Sequence, residues 1–175
     1  MAIVTHIRKS VSNDVALLRD LYQRAFPDEN LLPLLQSLLN EECNVLSLVA
    51  TNDETVIGHA VFTICTVSPH KNSMVLLGPV AVLPDYQRQS IGSALINHGL
   101  QQLRTDGVIK MLVLGDPNYY QRFGFKEETD IAPAYPIPEE WKPAWQSLIL
   151  NEANETISGK LLAPEPWQKT ELWST

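Results

Sequence analysis

Apolar residues in this chain recur with two different periods, and the switches between them mark out its elements. Val15, Leu18, Leu21, Tyr22 and Ala25 share one helical face. Ser12, Asn13 and Asp14 stand just before them as N-cap residues, so a helix is predicted to about Phe26. The preceding segment Ala2–Arg8 reads as a first strand. Pro27–Asn30 is a turn, and a second helix is predicted over Leu31–Asn40, with Pro33 tolerated in its first turn.

The period then shortens. Val45–Ala50 reads as a strand, Asn52–Glu54 as a hairpin-like turn, and Thr55–Val67 as a longer, β-branched strand. Ser68–Ser73 is a polar loop, and Met74–Leu83 is another strand. Ile91, Ala94, Leu95, Leu100 and Leu103 restore the helical period over Ile91–Arg104, which Gly107 stops. Lys110–Leu114 is a short buried strand, and Pro117–Phe123 a short helix closed by Gly124.

The order βααβββαβα, with three consecutive strands in its middle, predicts a mixed α/β layered fold rather than a doubly wound parallel sheet. The central strands are expected to be antiparallel neighbours. The unit Met74–Leu114 is expected to be a right-handed parallel crossover. Beyond about Glu127 the composition changes. All four tryptophans (Trp141, Trp145, Trp167 and Trp173) lie there, with Pro133, Pro136, Pro138, Pro143, Pro164 and Pro166. So aromatic a segment is predicted to pack on the domain, with a short helix near Glu139–Leu150 and a strand near Ser158–Leu162. The chain is therefore expected to be a single domain, 1–175, with a core over 1–127 and a packed extension over 128–175.

A net charge of −7 in 175 residues argues against a nucleic-acid binder held by bulk electrostatics. Cys43 and Cys65 form no C-x-x-C pair, which points to a reducing cytoplasm. No apolar run reaches the roughly 18 residues that span a membrane. No His, Cys or Asp cluster has metal-ligand spacing.

The candidate chemistry begins at Val80-Ala-Val-Leu-Pro-Asp-Tyr-Gln-Arg-Gln-Ser-Ile-Gly-Ser93, where a strand passes through a polar turn into a helix. A helix N-terminus presents unpaired N–H groups and the positive end of its dipole to an anion. Arg88 adds a charge-assisted donor. The segment is neither a P-loop nor a dinucleotide fingerprint. Alone, it serves equally well as a structural turn.

A second segment, Leu114-Gly-Asp-Pro-Asn-Tyr-Tyr-Gln-Arg-Phe-Gly-Phe125, follows the next strand. Together the two resemble the GCN5-related N-acetyltransferase (GNAT) family. Its acetyl-CoA signature is Gln/Arg-x-x-Gly-x-Gly/Ala, with Tyr-x-x-x-Gly-Phe downstream. Ile57-Gly-His-Ala-Val-Phe62 and Leu77-Gly-Pro-Val-Ala-Val82 extend the resemblance to its YhbS-like members, over nearly the whole chain.

The resemblance implies a GNAT fold: a mostly antiparallel sheet, one parallel strand pair splayed at the CoA site, and helices on both faces. It implies acetyl transfer from acetyl-CoA to a primary amine by direct attack in a ternary complex. Val80, Ala81 and Val82 would lie along the pantetheine. Gln87, Arg88, Gln89, Ser90, Ile91, Gly92 and Ser93 would cradle the pyrophosphate. Tyr120 would protonate the departing thiolate, since a phenol with a reference pKa of about 10 holds its proton at neutral pH. Ser90 departs from the pattern, standing where the family usually has glycine. Serine suits the turn if its backbone is helical or extended, and is strained if φ is positive.

The base that takes the amine proton is left open among His59, Glu29 and Asp28. The acceptor is a small-molecule amine or a peptide or protein amine, and no nucleic acid or membrane partner is expected. Homodimers occur in the family. The alternative is a non-catalytic acyl-CoA-binding or regulatory module on the same fold.

Overall fold

The computed structural model describes residues 5–40 and 42–174. The chain divides into two compact units, Met1–Phe62 with Gly78–Gln101, and Thr63–Leu77 with Gln102–Thr175. Strand β3 (Thr55–Val67), strand β4 (Met74–Val82) and helix α3 (Ile91–Thr105) each run from one unit into the other.

In the first unit, β1 (His6–Lys9) pairs antiparallel with β2 (Val45–Asn52), and the strand order is β1-β2-β3-β4. The expected first strand reaches back to Ala2, and its beginning through Val4 lies outside the described residues. Between β1 and β2 come α1 (Val15–Ala25) and α2 (Leu32–Leu38), with Pro33 in the first turn of α2 as predicted.

Helices cover both faces of this sheet. Neighbouring residues of a strand point to opposite faces. At Gly58 a Cβ would meet Ile91 and Leu95 of α3 at 3.0 Å, and the Phe62 ring lies where a Cβ on Gly99 would be. His59, between them in the strand, instead meets Tyr22 of α1. With helices on both sides, β3 is buried from Val56 through Thr63, which explains why that stretch is apolar or small except at His59.

The start of α1 differs from the expected cap. Asp14 makes no side-chain cap to that helix. Its carboxylate turns back to accept from the Val11 N–H at 2.7 Å and from the Arg8 guanidinium at 2.8 and 3.0 Å. Ser12–Asp14 form a 3-10 turn as a result. The apolar face of α1 is also narrower than its spacing predicts: Leu18, Leu21 and Tyr22 are buried, while Val15 is exposed.

In the second unit, β4 runs parallel to β5 (Lys110–Leu114), in register Met74↔Lys110 to Leu76↔Leu112. The predicted crossover therefore forms the parallel pair of a mostly antiparallel sheet. α4 (Pro117–Tyr120) and a 3-10 turn over Gln121–Phe123 follow, closed by Gly124 at φ +95°.

The segment after Glu127 contains more strand than its sequence suggests. The helix expected over Glu139–Leu150 is a 3-10 turn, Glu139–Ala144, followed by a strand; β6 is Lys126–Glu127, β7 is Ile131–Ala132 and β8 is Trp145–Ile149. Two pressures decide this. Pro143 disfavours helix in the residue before it and removes an N–H. The free edge of β5 offers backbone groups that need partners, and β8 pairs antiparallel with it from Lys110↔Ile149 to Leu114↔Trp145. β9 (Gly159–Leu162) forms where a strand is predicted, antiparallel to β3 and parallel to β7. Trp145, Trp173, Ile157 and Leu161 join Cys65, Met74 and Leu112 in one buried cluster. No helix among the described residues is long and apolar enough to cross a membrane.

Candidate active site

The turn from β4 into α3 lies in the first unit and is built to expose backbone. Val80 and Val82 are half-buried on β4, and Ala81 between them is buried. A 3-10 turn over Pro84–Tyr86 follows, and Gln87 is extended. Two glutamines hold the turn: Gln87 Nε2 donates to the Val82 carbonyl and Gln89 Nε2 to the Asp85 carbonyl, both at 3.1 Å. Gln87, Arg88, Gln89 and Ser90 are exposed.

Arg88 sits at φ +62° and Ser90 at φ +64°, both left-handed. Such reversals gather N–H groups into an anion-binding concavity. They also decide the question that Ser90 raised. Its backbone is neither helical nor extended, so the serine carries the strain that glycine would avoid, about 1 kcal/mol. The first α3 amide to find a carbonyl is that of Ala94, which donates to Ser90 at 3.0 Å. The N–H groups of the turn ahead of it have no intrahelical acceptor. Ile91 is buried against the Gly58 position, which fixes where this helix starts, while Gly92 and Ser93 are half-buried.

The β4–β5 ladder covers Met74 to Leu76, and the next residues of β4 are Leu77, Gly78 and Pro79. Gly78 has φ +141°, and Pro79 has no N–H to give a neighbouring strand.

The second unit carries Tyr120. Asp116 caps α4 by accepting from the Asn118 N–H at 2.9 Å, and Pro117 occupies the first turn. The Tyr120 ring packs against Tyr119 and Phe125 at centroid distances of 4.9 and 5.6 Å. A Cβ at Gly115 would come within 2.5 Å of the Tyr120 ring, so glycine there lets the ring lie where it does. Burial, with Tyr119 beside it, pushes the Tyr120 hydroxyl up to about 12. Tyr119 is engaged elsewhere: the Arg122 guanidinium lies 4.4 Å from its ring centroid, and Arg122 Nε donates to its carbonyl at 2.9 Å.

The three base candidates separate clearly. His59 is fully buried, with the Tyr22 hydroxyl 2.7 Å from Nδ1 and the Ser47 hydroxyl 2.7 Å from Nε2. Ser10 extends this chain by donating to Ser47 Oγ at 2.7 Å. Burial lowers the His59 pKa to about 3, so the ring is neutral, and neither nitrogen is open to a substrate. Asp28 and Glu29 are exposed in the loop between α1 and α2. Glu29 lines a cleft, together with Tyr22, Gln23, Phe26, Pro27, Asn30, Leu31 and Leu32. Tyr22, in its wall, meets His59 on the face of the first unit's sheet opposite the one that α3 covers. Among the described residues, no group of three His, Cys, Asp or Glu side chains could hold a metal ion.

No sequence pattern points to the hydroxyl partners that enclose His59, because Ser10, Tyr22 and Ser47 come from three distant segments. Gly115 was also missed as a support for Tyr120. Gly58 carried a usable signal, since a lone glycine inside a β-branched strand marks close approach by another element.

The sequence pattern of the Acetyltransferase (GNAT) family matches residues 15–125. The N-acetyltransferase YjhQ of Escherichia coli K12 is 34% identical over 161 residues, covering 88% of this chain and 89% of that protein. The crystal structure of the GNAT family N-acetyltransferase YhbS from Escherichia coli in complex with CoA superimposes with a TM-score of 0.86 at 28% identity, covering 97% of this chain and 94% of that one. A GNAT family acetyltransferase from Brucella melitensis, in complex with acetyl-CoA, superimposes with a TM-score of 0.77 at 30% identity, covering 95% of this chain and 99% of that one.

Proposed function

This chain belongs to the acetyltransferase (GNAT) family, and from that premise we propose that it transfers the acetyl group of acetyl-CoA directly to a primary amine. The observation that carries the proposal is the division of labour in the first unit. One face of its sheet has a left-handed turn with open N–H groups at the start of α3. On the other face, Tyr22 forms part of the wall of a cleft bearing the Glu29 carboxylate. An anionic cosubstrate and a cationic acceptor are thereby received from opposite sides.

The turn Gln87–Ser93 binds the pyrophosphate through its backbone N–H groups, with Arg88 adding charge. Val80, Ala81 and Val82 align the pantetheine along β4, beyond the last residue of the β4–β5 ladder. A β4 amide there polarises the thioester carbonyl and stabilises the oxygen as charge develops on it. Acetyl-CoA supplies the activated acyl carbon. The amine nitrogen bonds to that carbon, the carbon–sulfur bond breaks, and the sulfur leaves with the bonding pair. Tyr120, which holds its proton far above neutral pH, delivers it to that sulfur. Glu29, directly or through one water, takes the proton that the amine loses.

The whole chain acts as one N-acetyltransferase domain in this reading, with 128–175 as its extension. The proposed location is the cytoplasm, the default for a chain with two cysteines and no C-x-x-C pair. Thiol release from acetyl-CoA, followed with and without a panel of primary amines, tests the proposal, with mass spectrometry of the amine. Amine-dependent release and an acetylated product are expected. CoA binding with no release for any amine would support a non-catalytic acyl-CoA module instead.

A further inference from the structure

The cleft beside the α1–α2 loop is specific enough to suggest which amine enters it. Its volume is about 160 Å³. That is close to the ~150 Å³ at which an apolar protein cavity takes up benzene, and well below the ~300 Å³ where pockets for drug-sized ligands begin. About half of its wall is apolar, from Phe26, Leu31, Leu32 and the ring of Tyr22. The Tyr22 and Phe26 rings lie 5.9 Å apart, tilted by 34°, and present one aromatic side. The Tyr22 hydroxyl is taken by His59, so the tyrosine offers the cleft hydrocarbon rather than a polar tip. The one charged group in the lining is Glu29, flanked by the amides of Gln23 and Asn30.

A cleft with room for one ring, an aromatic side and a single carboxylate at its edge matches a particular chemistry. A polyamine would bring a second charge with no partner in this lining. An aminoglycoside or other sugar would bring hydroxyls against the Tyr22, Phe26, Leu31 and Leu32 side of the wall as well, at the cost of their hydrogen bonds to water. A short primary amine without a ring would leave the cleft unfilled. We infer that the acceptor, in the transfer reaction proposed above on which this inference rests, is a primary amine held a short chain away from an aromatic ring. The ring fills the cleft against Phe26, and Glu29 receives the ammonium before it loses its proton. Two sources carry this chemistry: a free arylalkylamine, and the α-amino group of a peptide that begins with an aromatic residue.

Phe26 would then determine specificity and Glu29 would position the amine, and these roles leave different kinetic traces. The experiment measures kcat and KM by thiol release for 2-phenylethylamine, ethylamine, spermidine, Phe-Gly-Gly and Gly-Gly-Gly. It uses the full chain and its Phe26→Ala, Phe26→Leu and Glu29→Gln variants, with CoA affinity measured for each as the check on folding. The expected result is a kcat/KM advantage of about tenfold or more for the ring-bearing member of at least one pair, a size typical of filling an apolar pocket. Whichever pair shows the advantage identifies the source. Phe26→Ala should abolish it mainly through KM, Phe26→Leu should keep part of it, and Glu29→Gln should weaken all amines alike. No advantage for the ring-bearing member in either pair, preference for spermidine, or an advantage untouched by both Phe26 variants would overturn this inference alone. Failure of every amine to release thiol from a CoA-binding protein would overturn the transfer reaction and this inference with it.

Discussion

Ser90 shows how much one backbone angle can decide. The residue type, read in the sequence, marked a departure from the family pattern, but the angle itself is set by the fold. Burial of Ile91 against Gly58 fixes where α3 begins, and the turn before it has to reverse at Arg88 and Ser90. Ser90→Gly is therefore expected to stabilise the protein by up to about 1 kcal/mol, while β-branched Ser90→Val, which tolerates positive φ poorly, should destabilise it by more. Melting temperatures of the two variants check this, and a destabilised glycine variant would argue against strain at this position. Gly115 makes a parallel case in the second unit. A methyl group there collides with the Tyr120 ring. Gly115→Ala should lower turnover by about tenfold or more through displacement of the phenol, since small misplacements of catalytic groups are costly. Steady-state kinetics read the effect, with CoA affinity near its original value.

At the scale of elements, glycines set how closely α3 docks on its sheet. Phe62 is fully buried and occupies the space that a Cβ on Gly99 would need. Gly99→Ala should therefore cost about 1–3 kcal/mol by overpacking, although alanine is the better helix former in isolation. Chemical denaturation measures the difference, and a gain in stability would show that Phe62 can move aside. Elements with a strong, self-contained period were legible in the sequence: β3 matches its predicted bounds, and α3 differs by one residue at its end. The pairing of the tail was not. The segment Trp145–Ile149 has no pattern that requires a strand, and it forms one because β5 presents an unpaired edge. The cap expected at Asp14 does not form for a similar reason, since the charge of Arg8 outcompetes a local helix cap.

For the whole molecule, the enclosed His59 links stability to pH. Its pKa falls from about 6.5 in an unfolded chain to about 3 in the fold, so the unfolded state binds the extra proton. Its contribution is complete above pH 6.5 and is lost as pH falls toward 3, amounting to about 2 kcal/mol between pH 7 and pH 5. Asp14 and Glu128, both held below the usual carboxylate range, extend the loss to lower pH. At Asp14 the chief cause is the Arg8 hydrogen bond. At Glu128 burial pulls the other way and is outweighed by hydrogen bonds, first among them that of Lys110. Denaturation at pH 7, 6 and 5 should show this slope, and His59→Gln should flatten it; an equal slope in that variant would assign it elsewhere. The catalytic account rests on a different titration, that of Tyr120, whose proton remains in place until pH approaches 12. The most direct test of the account is the Tyr120→Phe variant, assayed for acetyl transfer to the best amine alongside its affinity for CoA. A fall in kcat of about 10²–10⁴-fold with CoA affinity nearly unchanged is the predicted result, and undiminished turnover in that variant would contradict it.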